Sequence, residues 1–204
     1  MEENNLPKAN IKFNDFIYRE YKWIITTSLL SLILSSFLFS DTYYADSTGT
    51  DNAFCSQSDP CQHIQTVIAL TMDGDSVIVS EGTYYENILI EKAITLQGED
   101  PLNSPEIDGS IPDPDDWNGS CVVVKTPRGR SSRISAVIEN MKMTGGKGTI
   151  VIEDSNKDGV FDVDNGDISK KVGGGLLVSN ANLVSKKNKI KNNGDSSTDE
   201  GGAV

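Results

Sequence analysis

The stretch from Gly173 to Gly194, GGGLLVSNANLVSKKNKIKNNG, limits the possible fold more than any other part of this chain. A glycine turn leads into a short apolar strand (Leu176, Leu177, Val178). An Asn bend (Asn180, Asn182), a second strand (Leu183, Val184), a third around Ile190 and an Asn-Asn-Gly close follow. A unit this small cannot bury its own apolar face. It is stable only with similar units stacked above and below, so the pattern predicts one coil of a solenoid. The 18 Gly, with frequent Asn and Asp, supply the turns such a chain needs.

The same grammar runs through the earlier sequence. Tyr43 and Tyr44 predict a short opening strand, and Ile64, Val67, Ile68 and Thr71 recur at three- and four-residue spacing, which predicts a short amphipathic helix ending at Asp73-Gly74-Asp75. The period then becomes two: Val77 and Val79, Ile88 and Ile90, Ile94 and Leu96, separated by Gly82-Thr83 and Glu91-Lys92. These three strands read as the first coil. A second coil is expected from Cys121 to Lys125, through a basic turn (TPRGRSSR), to ISAVIENMKMTGG; a third starts at Gly148–Glu153 and a fourth at Gly201. Val204 then falls in mid-strand, and the chain is read as an N-terminal fragment of a longer solenoid. Asn140 and Asn182 are expected at inward bends, their side chains hydrogen-bonded along the stack.

Trp23–Phe39 is an uncharged run of 17 residues after Arg19 and Lys22, ending at Ser40-Asp41. A basic flank, an apolar run and a small residue make residues 1–40 a cleaved export signal or an uncleaved membrane anchor; a buried helix is the third reading. Either of the first two sends the remainder out of the cytoplasm. Cys55 and Cys61, in the polar loop CSQSDPC, are placed to close a local disulfide, and Cys121 reads as a small core residue. Of the formal net charge of −12, residues 1–40 carry none, with four Lys/Arg balancing four Asp/Glu. The excess lies in residues 41–204, and such a surface repels phosphates, which excludes nucleic acid as a partner and favours divalent cations or neutral ligands. The membrane is a partner only through an uncleaved N-terminal segment.

Read together, the motifs resemble a known family. The Pro-Cys loop, I-Q-x-x-I, D-G-D-x-V-x-V-x-x-G-T-Y-x-E-N-I and I-T-L-x-G, over residues 42–109, are similar to the opening of right-handed parallel β-helix proteins of the pectin-lyase-like superfamily. The likeness is to its secreted and cell-surface branch, whose N-terminal domain has no assigned function. The resemblance implies an all-β solenoid with a short capping helix at residues 41–74 and parallel β-helix coils from 75 to 204. A cap is also a physical requirement, because an uncovered first coil would expose strand edges and core.

Asp154–Asp167, DSNKDGVFDVDNGD, is the sharpest chemical signal. Asp154, Asn156 and Asp158 alternate ahead of Gly159, followed by the Val160 carbonyl and Asp162, with Asp164 or Asp167 to complete the shell. Short oxygen ligands around a glycine turn wrap a hard cation, so the expected cofactor is calcium. The loop resembles those of EF-hand, dockerin and thrombospondin type 3 domains, with Asn165 where an EF-hand has its bidentate Glu. No catalytic residue is assigned. Arg128, Arg130 and Arg133 read as a solvated turn, Asp113, Asp115 and Asp116 as an acidic loop, and His63 has no nucleophile partner. The expected function is polysaccharide or cell-surface glycan binding, or adhesion. The alternatives are a calcium-dependent lyase or glycoside hydrolase whose site lies beyond Val204, and a structural spacer.

Overall fold

The computed structural model describes residues 40–111, 119–153 and 168–194. The chain divides into two compact units, Met1–Ser40 and Asp41–Val204, and all described residues but Ser40 belong to the second. That unit is mostly β, with one helix among the described residues. Its elements are β1 (Thr42–Ala45), α1 (Ile64–Leu70), β2 (Ser76–Val79), β3 (Thr83–Tyr84), β4 (Ile88–Ile90) and β5 (Thr95–Gly98). Next come β6 (Glu106–Asp108), β7 (Val122–Lys125), β8 (Ser135–Glu139), β9 (Lys142–Thr144), β10 (Thr149–Glu153) and β11 (Ile168–Val172). The last are β12 (Leu176–Ser179), β13 (Asn182–Lys186) and β14 (Lys189–Ile190).

Successive strands go to different sheets. A five-stranded sheet runs β1-β2-β5-β8-β13, a four-stranded sheet β14-β9-β6-β3 and a three-stranded sheet β12-β7-β4, and every pairing within them is parallel. Parallel neighbours need a long crossover, which here is made of strands in the other two sheets rather than of a helix. Side chains alternate across a strand, so each sheet sends every second residue inward. Val77, Leu96 and Ile138 from the first sheet, Ile107 and Met143 from the second, and Ile88, Ile90, Val122 and Val124 from the third meet in one fully buried cluster.

The pairing corrects the expected phase. Val77 pairs with Leu96 in neighbouring positions of one sheet, so Ile94–Leu96 opens the second round of strands instead of closing the first. The expected separator Gly82-Thr83 overlaps a strand, Thr83–Tyr84, which is the missing member of the first round. Likewise β7 closes its round, because Val122–Val124 stack on Ile88–Ile90. Gly148–Glu153 does not start a coil: Thr149–Glu153 pairs antiparallel with Ile168–Val172, an excursion hairpin.

Asn140 sits as expected, in the turn between β8 and β9 with φ 61°, 4% exposed. Its amide donates to the Gly98 (3.2 Å) and Asp100 (2.7 Å) carbonyls, and its Oδ1 accepts from Ser104 Oγ at 2.6 Å. A Cβ at Gly98 would lie 2.3 Å from the Asn140 carbonyl oxygen, so this close turn requires glycine there. Asn182 is not its counterpart. The register aligns Glu139 with Lys186, which puts Lys187 (φ 53°) over Asn140, while Asn182 is an exposed strand residue over Ser135. Asn182 does bond along the stack, its Nδ2 donating to Ser135 Oγ (3.3 Å), and so do Asn188, which donates to Ile138 O (2.8 Å), and Asn193, which donates to Met143 O (3.0 Å).

Helix α1 is too short to persist on its own and is held by its neighbours. Ile64, Val67 and Ile68 are buried, and no side chain of the N-cap residue, His63, caps the helix. The Glu86 carboxylate accepts the Ile64 (2.8 Å) and Gln65 (2.9 Å) N–H groups instead, and Lys92 Nζ donates to the Ile68 and Ala69 carbonyls at the other end. Gln65 completes the outer edge of β4: Leu89 N–H donates to its Oε1 (2.7 Å) and its Nε2 donates to Leu89 O (3.3 Å).

Candidate functional site

The expected disulfide is present. Cys55 and Cys61 are bonded, with Cα atoms 4.8 Å apart, and both are fully buried. The loop they close lies along the outer edge of β1: Tyr44 N–H donates to Cys55 O (2.8 Å), Cys61 N–H to Tyr44 O (3.1 Å) and Asp46 N–H to Cys61 O (2.8 Å). Cys121 is buried in the core as read, and burial pushes its thiol up from the ordinary value.

The calcium ligand set Asp154, Asn156, Asp158, Val160, Asp162, Asp164 and Asp167 lies outside the described residues, as do Asp113, Asp115 and Asp116 and the apolar run Trp23–Phe39. What is described is the hairpin that flanks the calcium segment, where Glu153 pairs with Ile168. Among the described residues there is no group of three or more His, Cys, Asp or Glu that could hold a metal ion, and no helix long and apolar enough to cross a membrane. The basic turn is tied down: Arg130 pairs with Asp73 and Arg133 donates to Asn180 Oδ1 (3.0 Å). Arg130 in turn draws the Asp73 carboxyl below its ordinary value.

A shallow recess of about 110 Å³ opens between three segments near α1: Ser47 after β1, Gln62 and His63 before the helix, and Thr83–Glu86. Its floor is Tyr84, 3% exposed, whose hydroxyl donates to Ser80 O (3.0 Å) with Ala45 O at 3.3 Å. Burial raises the phenol well above its ordinary value. His63 is oriented by Asp51: its backbone N–H donates to Oδ1 (3.0 Å), and its ring Nδ1 is 2.6 Å from Oδ2, which leaves Nε2 directed away from Asp51. Burial alone would raise the Asp51 carboxyl, but the His63 backbone and ring, with Thr66, draw it below the ordinary value. Glu86 is the opposite case, since desolvation lifts it despite the two helix N–H groups it accepts. Tyr85, 59% exposed, stands on the rim with Gln62, His63 and Thr83.

Sequence reasoning missed Asp51, Tyr85 and Glu86. One signal was readable: a helix that starts after His63, without Ser, Thr, Asp or Asn at its N-cap, needs an acceptor from elsewhere.

A second surface is set by register alone. On the five-stranded sheet, Thr42, Ser76, Thr95, Val137 and Val184 form one column, and Tyr44, Ile78, Gln97, Glu139 and Lys186 form the next. All ten are exposed or half-buried, while Val77, Leu96 and Ile138 between the columns, and Val79 and Ala136 to either side, are buried. Comparison of the chain with protein-family models, curated proteins and solved structures returns no match to any of them.

Proposed function

We propose that this chain is a right-handed parallel β-helix of the pectin-lyase-like kind, exported or held at the cell surface, that binds polysaccharide. The fold reading is supported by the rotation of strands through three parallel sheets and by motifs at residues 42–109. The observation that carries the function is the outward face of the five-stranded sheet. Its strands lie about 4.8 Å apart, so the Thr42, Ser76 and Thr95 hydroxyls recur at a regular step beside the Tyr44 ring and the Gln97 amide, a layout suited to a repeating polymer. The acidic balance favours neutral over anionic chains.

Calcium belongs to the same proposal. Asp154, Asn156, Asp158, the Val160 carbonyl and Asp162, with Asp164 or Asp167, would hold it between the two strands of the β10–β11 hairpin, as a structural rather than a reacting ion. The glycan reading is tested by affinity electrophoresis of the full chain through gels cast with neutral or acidic polysaccharide. Retardation by a neutral polymer, reduced in Gln97→Glu, is the expected result; identical mobility in every gel removes the reading. For the metal, calorimetric calcium titration of the parent beside Asp158→Ala is decisive. Binding in the parent alone supports the site, and no heat in either removes it.

A further inference from the structure

The recess beside α1 has no part in the sheet-face reading, yet hydrogen bonds hold its walls, Tyr84 to Ser80 and His63 to Asp51. We infer that it is a binding subsite for a single neutral pyranose ring at the end or on a branch of a glycan, with Tyr85 as the stacking platform and Gln62, His63 and Thr83 as its polar contacts. The inference rests on the glycan reading above and adds to it a second point of contact.

Four observations converge on this chemistry. The volume, about 110 Å³, is far below the roughly 300–1,000 Å³ of a pocket that encloses a small molecule. It suits one ring held against a surface. The floor is preorganised: Tyr84 is pinned by two carbonyls and His63 by Asp51, so little ordering is required on binding. The two carboxylates beside it are engaged. Glu86 accepts from the Ile64 and Gln65 N–H groups and Asp51 from His63 and Thr66, so the lining offers a ligand chiefly the Tyr85 ring, the Gln62 amide, the Thr83 hydroxyl and the His63 imidazole. An aromatic face ringed by hydrogen-bonding groups matches a sugar, whose ring offers C–H groups on one face and hydroxyls around its edge. The fourth observation separates sugar from peptide. The recess lies against β3, the outermost strand of its sheet among the described residues, but β3 is only two residues long. That edge is too short to receive an added peptide strand.

The test is a glycan array probed with the full chain, the Tyr85→Ala and Tyr85→Phe variants, and Gln97→Glu. Because Tyr85 is 59% exposed, Tyr85→Ala is expected to leave the melting temperature unchanged, which removes misfolding as an explanation. The expected result is binding to neutral oligosaccharides that falls at least tenfold in Tyr85→Ala and is kept in Tyr85→Phe. Parent binding that Tyr85→Ala leaves intact while Gln97→Glu weakens it would overturn the subsite and spare the glycan reading. No binding by the parent would overturn both, and a preference for uronic acid chains would overturn the neutral class assigned here.

Discussion

β1, the outermost strand of the five-stranded sheet, is flanked by backbone hydrogen bonds to Cys55 and Cys61, and β4, the outermost strand of the three-stranded sheet, is completed by the side-chain amide of Gln65. At the opposite side of the same sheets, β12, β13 and β14 have no further partner strand among the described residues, and Val178 and Val184 are 40% and 48% exposed. The first edge is finished with a disulfide loop and a seven-residue helix; the second leaves Val178 and Val184 partly open among the described residues. The contrast teaches that closing a stack of parallel sheets takes dedicated polar chemistry, because the unpaired N–H and C=O groups of an edge strand need partners and apolar packing alone supplies none.

The comparison is broken most severely from inside. Leu96→Ala, at a fully buried position in the middle of the five-stranded sheet, is expected to cost about 3 kcal/mol in denaturant-induced unfolding. Val184→Thr, at the far edge, should stay within about 0.5 kcal/mol of the parent. Equal losses would mean that β13 is as well packed as β5. At the covered edge, replacing both Cys55 and Cys61 by Ser is expected to lower stability by about 2 kcal/mol, as a short closed loop implies; an unchanged unfolding midpoint would mean that the loop's hydrogen bonds suffice without the bond.

Finer tests address single contacts. Gln65→Ala removes both partners of the Leu89 backbone, and about 1–2 kcal/mol is the expected cost. Faster amide exchange at Leu89 in that variant would show that the edge has opened. Val184→Lys should leave the unfolding midpoint in place and lower any concentration-dependent light scattering, since a charge on an edge strand opposes edge-to-edge pairing. The smallest effect is electrostatic. The folded-state pKa of Asp73 is depressed, chiefly by its hydrogen bond from Arg130. Its contribution is therefore present above the ordinary carboxylate value of about 3.9 and is lost as pH falls through the depressed folded value. Arg130→Ala should thus melt slightly below the parent at pH 7 and together with it in strong acid. A gap that persists in acid would mean that Arg130 acts through packing.

Some of this was open to reading from residue spacing. Ile64, Val67 and Ile68 placed α1 because three- and four-residue spacing aligns side chains on one helical face. Alternation placed β2, β4 and β5 in the same way. The two-residue β3 was invisible, since Thr83–Tyr84 after a glycine has no period to detect. The hairpin strand Thr149–Glu153 looked like any other apolar strand, and only its antiparallel partner Ile168–Val172 separates it from the stack. The candidate subsite was less legible still, because Ser47, Gln62 and Tyr85 are far apart in sequence and each taken singly is an ordinary surface residue.

The sequence by itself determined the longer periodic strands, many of the turns between them, that Cys55 and Cys61 sit within bonding reach, and which residues of α1 are apolar. These are local properties, set by side-chain period and by the backbone freedom of Gly and Asn over a few residues. Tertiary structure alone decided which strand follows which in each sheet. A repeated three-strand unit carries no mark of where it begins, so a shift by one strand looks the same locally, and only the parallel registers Val77 with Leu96, Ile88 with Val122 and Glu139 with Lys186 choose between phases. The last of these registers made Lys187 and not Asn182 the counterpart of Asn140.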